Sequence, residues 1–234
     1  MVARSLTPKL LTEVVGTFVF LSVVALSKPM GALAPLAIGS ALMVAVYMGG
    51  HVSGGHYNPA VSFGLWLRRK IDAVTMLAYW AAQLAGAALA FVFGYLVSAH
   101  TPGIAPAHTA TWIQALAVEV VFTGILVLTV LNVAATRATE GNSYFGLAIG
   151  FAVVIGAFAG GPISGGAFNP AIGFGATLGK ALFAGGNFDW FWIYVVGGLL
   201  GGAIAAGIHE VQIRFTERPV EPEPAAPHVA IPSD

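Results

Sequence analysis

The sequence predicts an all-α membrane protein with six transmembrane helices and two re-entrant half-helices, arranged as an inverted 3+3 repeat. Three observations carry this. Only 9% of the 234 residues are charged, 57% are hydrophobic, and the mean hydropathy is +0.84. Ten acidic and ten basic side chains cannot cover the surface of a soluble domain of this length. Uncharged runs of roughly 20 residues, enough to cross a ~30 Å hydrocarbon core, recur along the chain. Finally, "GGHVSGGHYNPAVSFG" at Gly49–Gly64 returns as "GGPISGGAFNPAIGFG" at Gly160–Gly175, identical at ten of sixteen positions.

The apolar runs place spans near Leu10–Ser27, Gly31–Met48, Ala73–Ala99, Trp112–Ala135, Tyr144–Ala159 and Trp190–Ile208. The first has Arg4 and Lys9 before it, as a signal peptide would. It is longer than the usual h-region of about 7–15 residues and carries Glu13, so it reads as a retained span. Six spans put both termini on one side, and the positive-inside rule chooses the cytoplasm. Arg4, Lys9, Arg68, Arg69, Lys70, Arg137, Arg214 and Arg218 then lie inside, with Lys28 and Lys180 outside. The plasma (inner) membrane is the expected host. Residues 1–213 form one membrane domain with repeat halves at about 10–99 and 112–213. Residues 214–234, rich in Pro and Glu, read as a disordered cytoplasmic tail.

Each half holds three spans, so the second half inserts upside down relative to the first. Inverted repeats place functional sites near the midplane, at the repeat interface. From Pro59 to Arg69 a helix rises ~16 Å, about half the core. Arg68-Arg69-Lys70 holds its far end in headgroups, so its start lies at mid-membrane. Pro170 to Lys180 repeats the pattern from the other side. Asn58 and Asn169 are strong N-caps, and Pro59 and Pro170 suit the first helical position. Two helix starts meeting head to head bring together two partial positive ends, roughly half a charge each. The glycine-rich segments before them read as extended, with carbonyls lining a wet path. Donors at the centre, acceptors along the wall and no fixed negative charge suit neutral polar molecules and disfavour cations.

Glu119 lies within a span, where an exposed charge costs at least ~2.5 kcal/mol, so it must face the bundle interior. Glu13 is its repeat mate, and both are expected to brace the irregular segments by accepting hydrogen bonds. His51 and His56 flank the first such segment and read as pore-wall residues, since no other ligand cluster supports a metal. Gln83 reads as an interhelical polar contact. The small residues Ala82, Gly86, Ala90 and Gly94, and again Gly198, Gly202 and Ala206, read as helix-packing faces. There is no cysteine, which excludes disulfides and thiolate chemistry. No basic cluster with interleaved aromatics supports nucleic-acid binding, and neither a cofactor nor an enzymatic nucleophile–base pair is expected.

The doubled Asn-Pro-Ala (Asn58-Pro59-Ala60 and Asn169-Pro170-Ala171), "SGGHYNPAV", "YWAAQLAGA" and the glutamates of the first and fourth spans resemble the aquaporin (major intrinsic protein) family over roughly Leu10 to Ile213. The resemblance implies a homotetramer of six-helix bundles with one pore per subunit. It makes Asn58 and Asn169 the central donors. It also implies a passive channel for water and small neutral solutes, with half-helix dipoles as a cation barrier. Most members carry Arg after the second Asn-Pro-Ala, where this chain has Ile172. By the family's spacing the other selectivity-filter positions are Ile38, Ala157 and Gly166, so the constriction is expected to be wide and apolar. Such a mouth suits glycerol, urea, ammonia or dissolved gases beside water. An ion-coupled secondary transporter and a weakly conducting structural membrane protein of the same fold are the alternative readings.

Overall fold

The computed structural model describes residues 6–100 and 103–216. Eight α-helices run through them: α1 (Leu6–Leu26), α2 (Ala34–Ser53), α3 (Pro59–Leu67), α4 (Ala73–Ser98), α5 (Trp112–Ala134), α6 (Phe145–Ser164), α7 (Pro170–Ala184) and α8 (Phe191–Thr216). All but α3 and α7 are long and apolar enough to cross a bilayer. No strand occurs among the described residues.

The halves pack by the same rule. Helix α1 lies along α4, α5 lies along α8, and α2 meets α6 across the repeat interface. Close approach depends on missing side chains. A Cβ on Gly86 would stand 2.6 Å from the Val14 carbonyl oxygen, and one on Gly201 would stand 2.5 Å from that of Val120. Gly39 and Gly150 do the same for α2 and α6. Within a bilayer, packing of small residues takes the place of hydrophobic burial as the force between helices. Gly198 and Gly202 serve differently: they admit Pro170 and the Ala60 carbonyl, which seats both half-helices against α8.

The two helices that lead into the repeated segment depart from the sequence expectation. Helices α2 and α6 do not stop at Met48 and Ala159 but run five residues further, to Ser53 and Ser164. Glycine runs read as extended chain, yet backbone at membrane depth needs partners, and helix supplies them. The irregular stretch shrinks to Gly54–Tyr57 and Gly165–Phe168. Gly54 (φ 94) and Gly165 (φ 90) take the left-handed cap that ends each helix.

The half-helices also differ in length. Helix α3 stops at Leu67 because Arg69 turns left-handed (φ 56) and the Lys70 N–H returns to the Leu65 carbonyl. Helix α7 passes Lys180, whose stem lies against Gly103 and Gly186, and ends at Ala184 with Gly185 as its left-handed cap. Helix α8 continues through Arg214 to Thr216, so the expected tail begins in helix. The rest of that tail, 217–234, lies outside the described residues.

Candidate transmembrane pathway

Asn58 and Asn169 are extended (φ −157 and −160), and each side-chain oxygen accepts the N–H two residues on, from Ala60 at 2.9 Å and Ala171 at 2.8 Å. These are N-caps with proline following. Each amide nitrogen crosses to the other half. Asn58 Nδ2 donates to the Phe168 carbonyl at 2.9 Å, and Asn169 Nδ2 donates to the Tyr57 carbonyl at 2.9 Å. One N–H of each amide is thereby used, leaving one on each for the cavity that both line. They are only 3% and 2% exposed.

The accepting carbonyls belong to residues in a conformation that nothing in their type favours. Tyr57 (φ 47) and Phe168 (φ 48) are left-handed, which is uncommon for bulky residues. Buried glutamates hold them there. Glu13 Oε1 accepts from Ser53 Oγ (2.7 Å) and the His56 N–H (3.0 Å), and its Oε2 accepts from the Tyr57 N–H (2.8 Å) and Gln83 Nε2 (2.8 Å). Glu119 Oε1 accepts from Ser164 Oγ (2.7 Å) and the Ala167 N–H (3.0 Å), and its Oε2 accepts from the Phe168 N–H (2.7 Å). Both glutamates are fully buried.

Several partners in this network are not evident from the sequence. Tyr79 and Tyr194 donate their hydroxyls to the carbonyls of Ser53 and Ser164, the last residues of α2 and α6. Gln83 belongs to the bracing network and donates to Ser62 Oγ as well as to Glu13. The position of Ser53 and Ser164 inside the repeated segment was the available signal. The Tyr57 ring fills space left by Gly16 and Gly49, and its hydroxyl reaches the Ala45 carbonyl.

A narrow internal cavity of about 10 Å³, room for roughly one water, runs past both asparagines. Its polar side chains are His56, Asn58 and Asn169, and the rest of its wall is mostly apolar, including Phe20, Leu42, Val61, Val153 and Ile172. His56 Nδ1 lies 3.0 Å from Ser62 Oγ, and its ring meets Tyr79 edge-on. His51 is exposed and lines a different, wider recess of about 570 Å³ with Lys70 and Arg137. The two histidines therefore do not share a wall, and no metal-holding group occurs among the described residues.

Of the four expected filter positions, Ile172 lines the cavity and is 3% exposed. Ile38 and Ala157 stand one helical turn from the lining residues Leu42 and Val153. Gly166 repeats Gly55: both are left-handed (φ 70 and 64) and both donate to the preceding serine hydroxyl at 3.1 Å. Backbone conformation accounts for glycine there.

The sequence profile of the major intrinsic protein family matches residues 2–209. The chain belongs to that family. Curated members similar to it include the aquaporin TIP2-1 of Arabidopsis thaliana, 40% identical over 181 residues, covering 73% of this chain and 68% of the relative. Aquaporin NIP1-1 of Oryza sativa subsp. japonica is 36% identical over 187 residues, covering 78% and 62%. The aquaglyceroporin of Plasmodium falciparum shares the fold, with a TM-score of 0.77 at 24% identity over 88% of this chain and 96% of that one. As a major intrinsic protein, this chain is an integral multi-pass membrane protein and a passive channel for water and small solutes. Membership disfavours both the ion-coupled transporter and the structural protein. The family is a class of channels rather than enzymes.

Proposed function

We propose that water and small uncharged solutes (glycerol, urea, ammonia or dissolved gases) cross this channel in contact with Asn58 and Asn169. The observation that carries the reading is the crossed asparagine pair, with one free N–H on each amide in an otherwise largely apolar cavity. The starts of α3 and α7 add two partial positive ends at the same level, which disfavours cations. Ile172 in the cavity wall supports an apolar constriction, with Ile38, Ala157 and Gly166 as the remaining filter positions by the family's spacing.

The test is a solute panel in proteoliposomes by stopped-flow light scattering, on wild type and Ile172→Arg. Arginine adds a fixed charge and five donors in a planar fork. It should raise the ratio of water to glycerol permeability. An unchanged ratio in well-folded variant overturns the assignment of Ile172 to the constriction.

We further propose a homotetramer with both termini cytoplasmic. The charge bias of the sequence supports the orientation, and the apolar exteriors of the spanning helices support burial in lipid or against copies. Light scattering in detergent tests the first and protease protection of the tail the second. Cell fractionation decides between the plasma (inner) membrane and an internal one.

A further inference from the structure

The run Arg68-Arg69-Lys70 that follows α3 divides in the structure. Arg68 turns inward, donating from Nε to His209 Nδ1 at 2.9 Å and pairing with Glu210. Arg69 and Lys70 are exposed, and neither has an ion pair among the described residues. The left-handed turn at Arg69 (φ 56) brings both to the rim of a recess of about 550 Å³. Lys9, from the first turns of α1, and the half-buried Trp66 also line it.

Three cations and one acid surround the recess, and the acid is already engaged. Asp72 caps α4, its Oδ1 accepting the Thr75 N–H at 2.7 Å. Asp72 keeps its negative charge while it caps, so the recess carries an excess of positive charge, three cations against one carboxylate. It also lies where α1 and α4 both begin, at the boundary between water and hydrocarbon. Just inside that boundary the outer surfaces of the same two helices are apolar: Leu11, Val74 and Leu77 are each more than half exposed. A ligand that fits is anionic at one end and has hydrocarbon at the other.

We propose that this recess binds the phosphate of an anionic phospholipid headgroup, held by Lys9 and Arg69, with its acyl chains along Leu11, Val74 and Leu77. Basic pockets between spanning helices recognise such headgroups, and each nearby cation contributes about fivefold in affinity. Lys70 also lines the recess beside His51, so the same headgroup neutralises a cation at its rim. The inference needs only a chain that spans a bilayer, and it stands apart from the solute reading.

The experiment is native mass spectrometry of the full-length protein in detergent, titrated with phosphatidylglycerol, phosphatidylcholine or inorganic phosphate. Phosphatidylglycerol should bind in preference to phosphatidylcholine. Lys9→Gln with Arg69→Gln should weaken it about 25-fold. Lys9→Arg with Arg69→Lys should restore it, and Arg214→Gln, an exposed cation outside the recess, should leave it unchanged. Equal binding of the two lipids, no loss in the double variant, or an equal loss in Arg214→Gln each overturns the proposal. Displacement of the lipid by millimolar inorganic phosphate also overturns it, because the ligand is then the free anion.

Discussion

The two halves of the chain share their bracing and differ in the side chains beside it. In each, a buried glutamate takes a serine hydroxyl and two successive backbone N–H groups, and a tyrosine hydroxyl fixes that serine's carbonyl. The first half then adds a polar chain from Gln83 through Ser62 to His56. The matching positions in the second half are Gly198, Gly173 and Ala167. There the space goes to Pro170 against Gly198 and to Tyr194 against Gly173. The repeat keeps what holds the backbone and is free elsewhere, so His56 has no polar counterpart in the cavity wall while the asparagines are paired.

The largest expected effect distinguishes the two glutamates. Glu119→Leu strands three buried donors, a loss on the order of 5 kcal/mol at about 1–3 kcal/mol each. Glu13→Leu should cost less, because Gln83 Oε1 has no hydrogen-bond partner and can turn to accept. Monodisperse yield and melting temperature in detergent measure both. Equal losses would remove Gln83 as a reserve acceptor.

The asparagines should behave alike. Asn58→Leu and Asn169→Leu each remove a cap, a crossed bond and a cavity donor. Water flux should fall about five- to tenfold in either, as for a barrier raised by one hydrogen bond, ~1–1.4 kcal/mol. A tenfold disparity in proteoliposomes would break the functional symmetry. His56→Ala, which makes the first half resemble the second, should lower water flux by less than either asparagine variant.

The smallest effect concerns helix starts. Asp72 caps α4 and Thr111 caps α5, the latter in a capping box with Gln114. The Thr75 backbone N–H holds the Asp72 carboxyl below the usual carboxylate range. A depressed folded pKa contributes stability that is present above the unfolded value and lost as pH falls through the folded one. The first turn of α4 should therefore lose hydrogen-exchange protection below about pH 4, while that of α5 does not. Protection factors at pH 6 and pH 3 compare the two. Asp72→Asn should keep the cap and abolish the difference.

The six spans, the inverted repeat and the half-helix starts were legible because apolar length and Asn-Pro chemistry are local. The continuation of α2 and α6 through Gly49–Ser53 and Gly160–Ser164 was not, since glycine weakens helix in water while a bilayer demands it. The left-handed Tyr57 and Phe168 were also illegible: their conformation is set by glutamates more than forty positions away. Tyr79 and Tyr194 looked like ordinary span residues for the same reason, and Gln83 read as an interhelical polar contact without Glu13 being evident as its partner. Their partners are made by the fold.

The crossed amides also bear on biogenesis. The Tyr57 carbonyl awaits an amide synthesised 112 residues later, and Asn58 awaits a carbonyl 110 residues on. When the ribosome has released only the first half, neither re-entrant start has its counterpart and no continuous conduit exists. The pathway past the two asparagines is therefore assembled only when the last re-entrant segment docks.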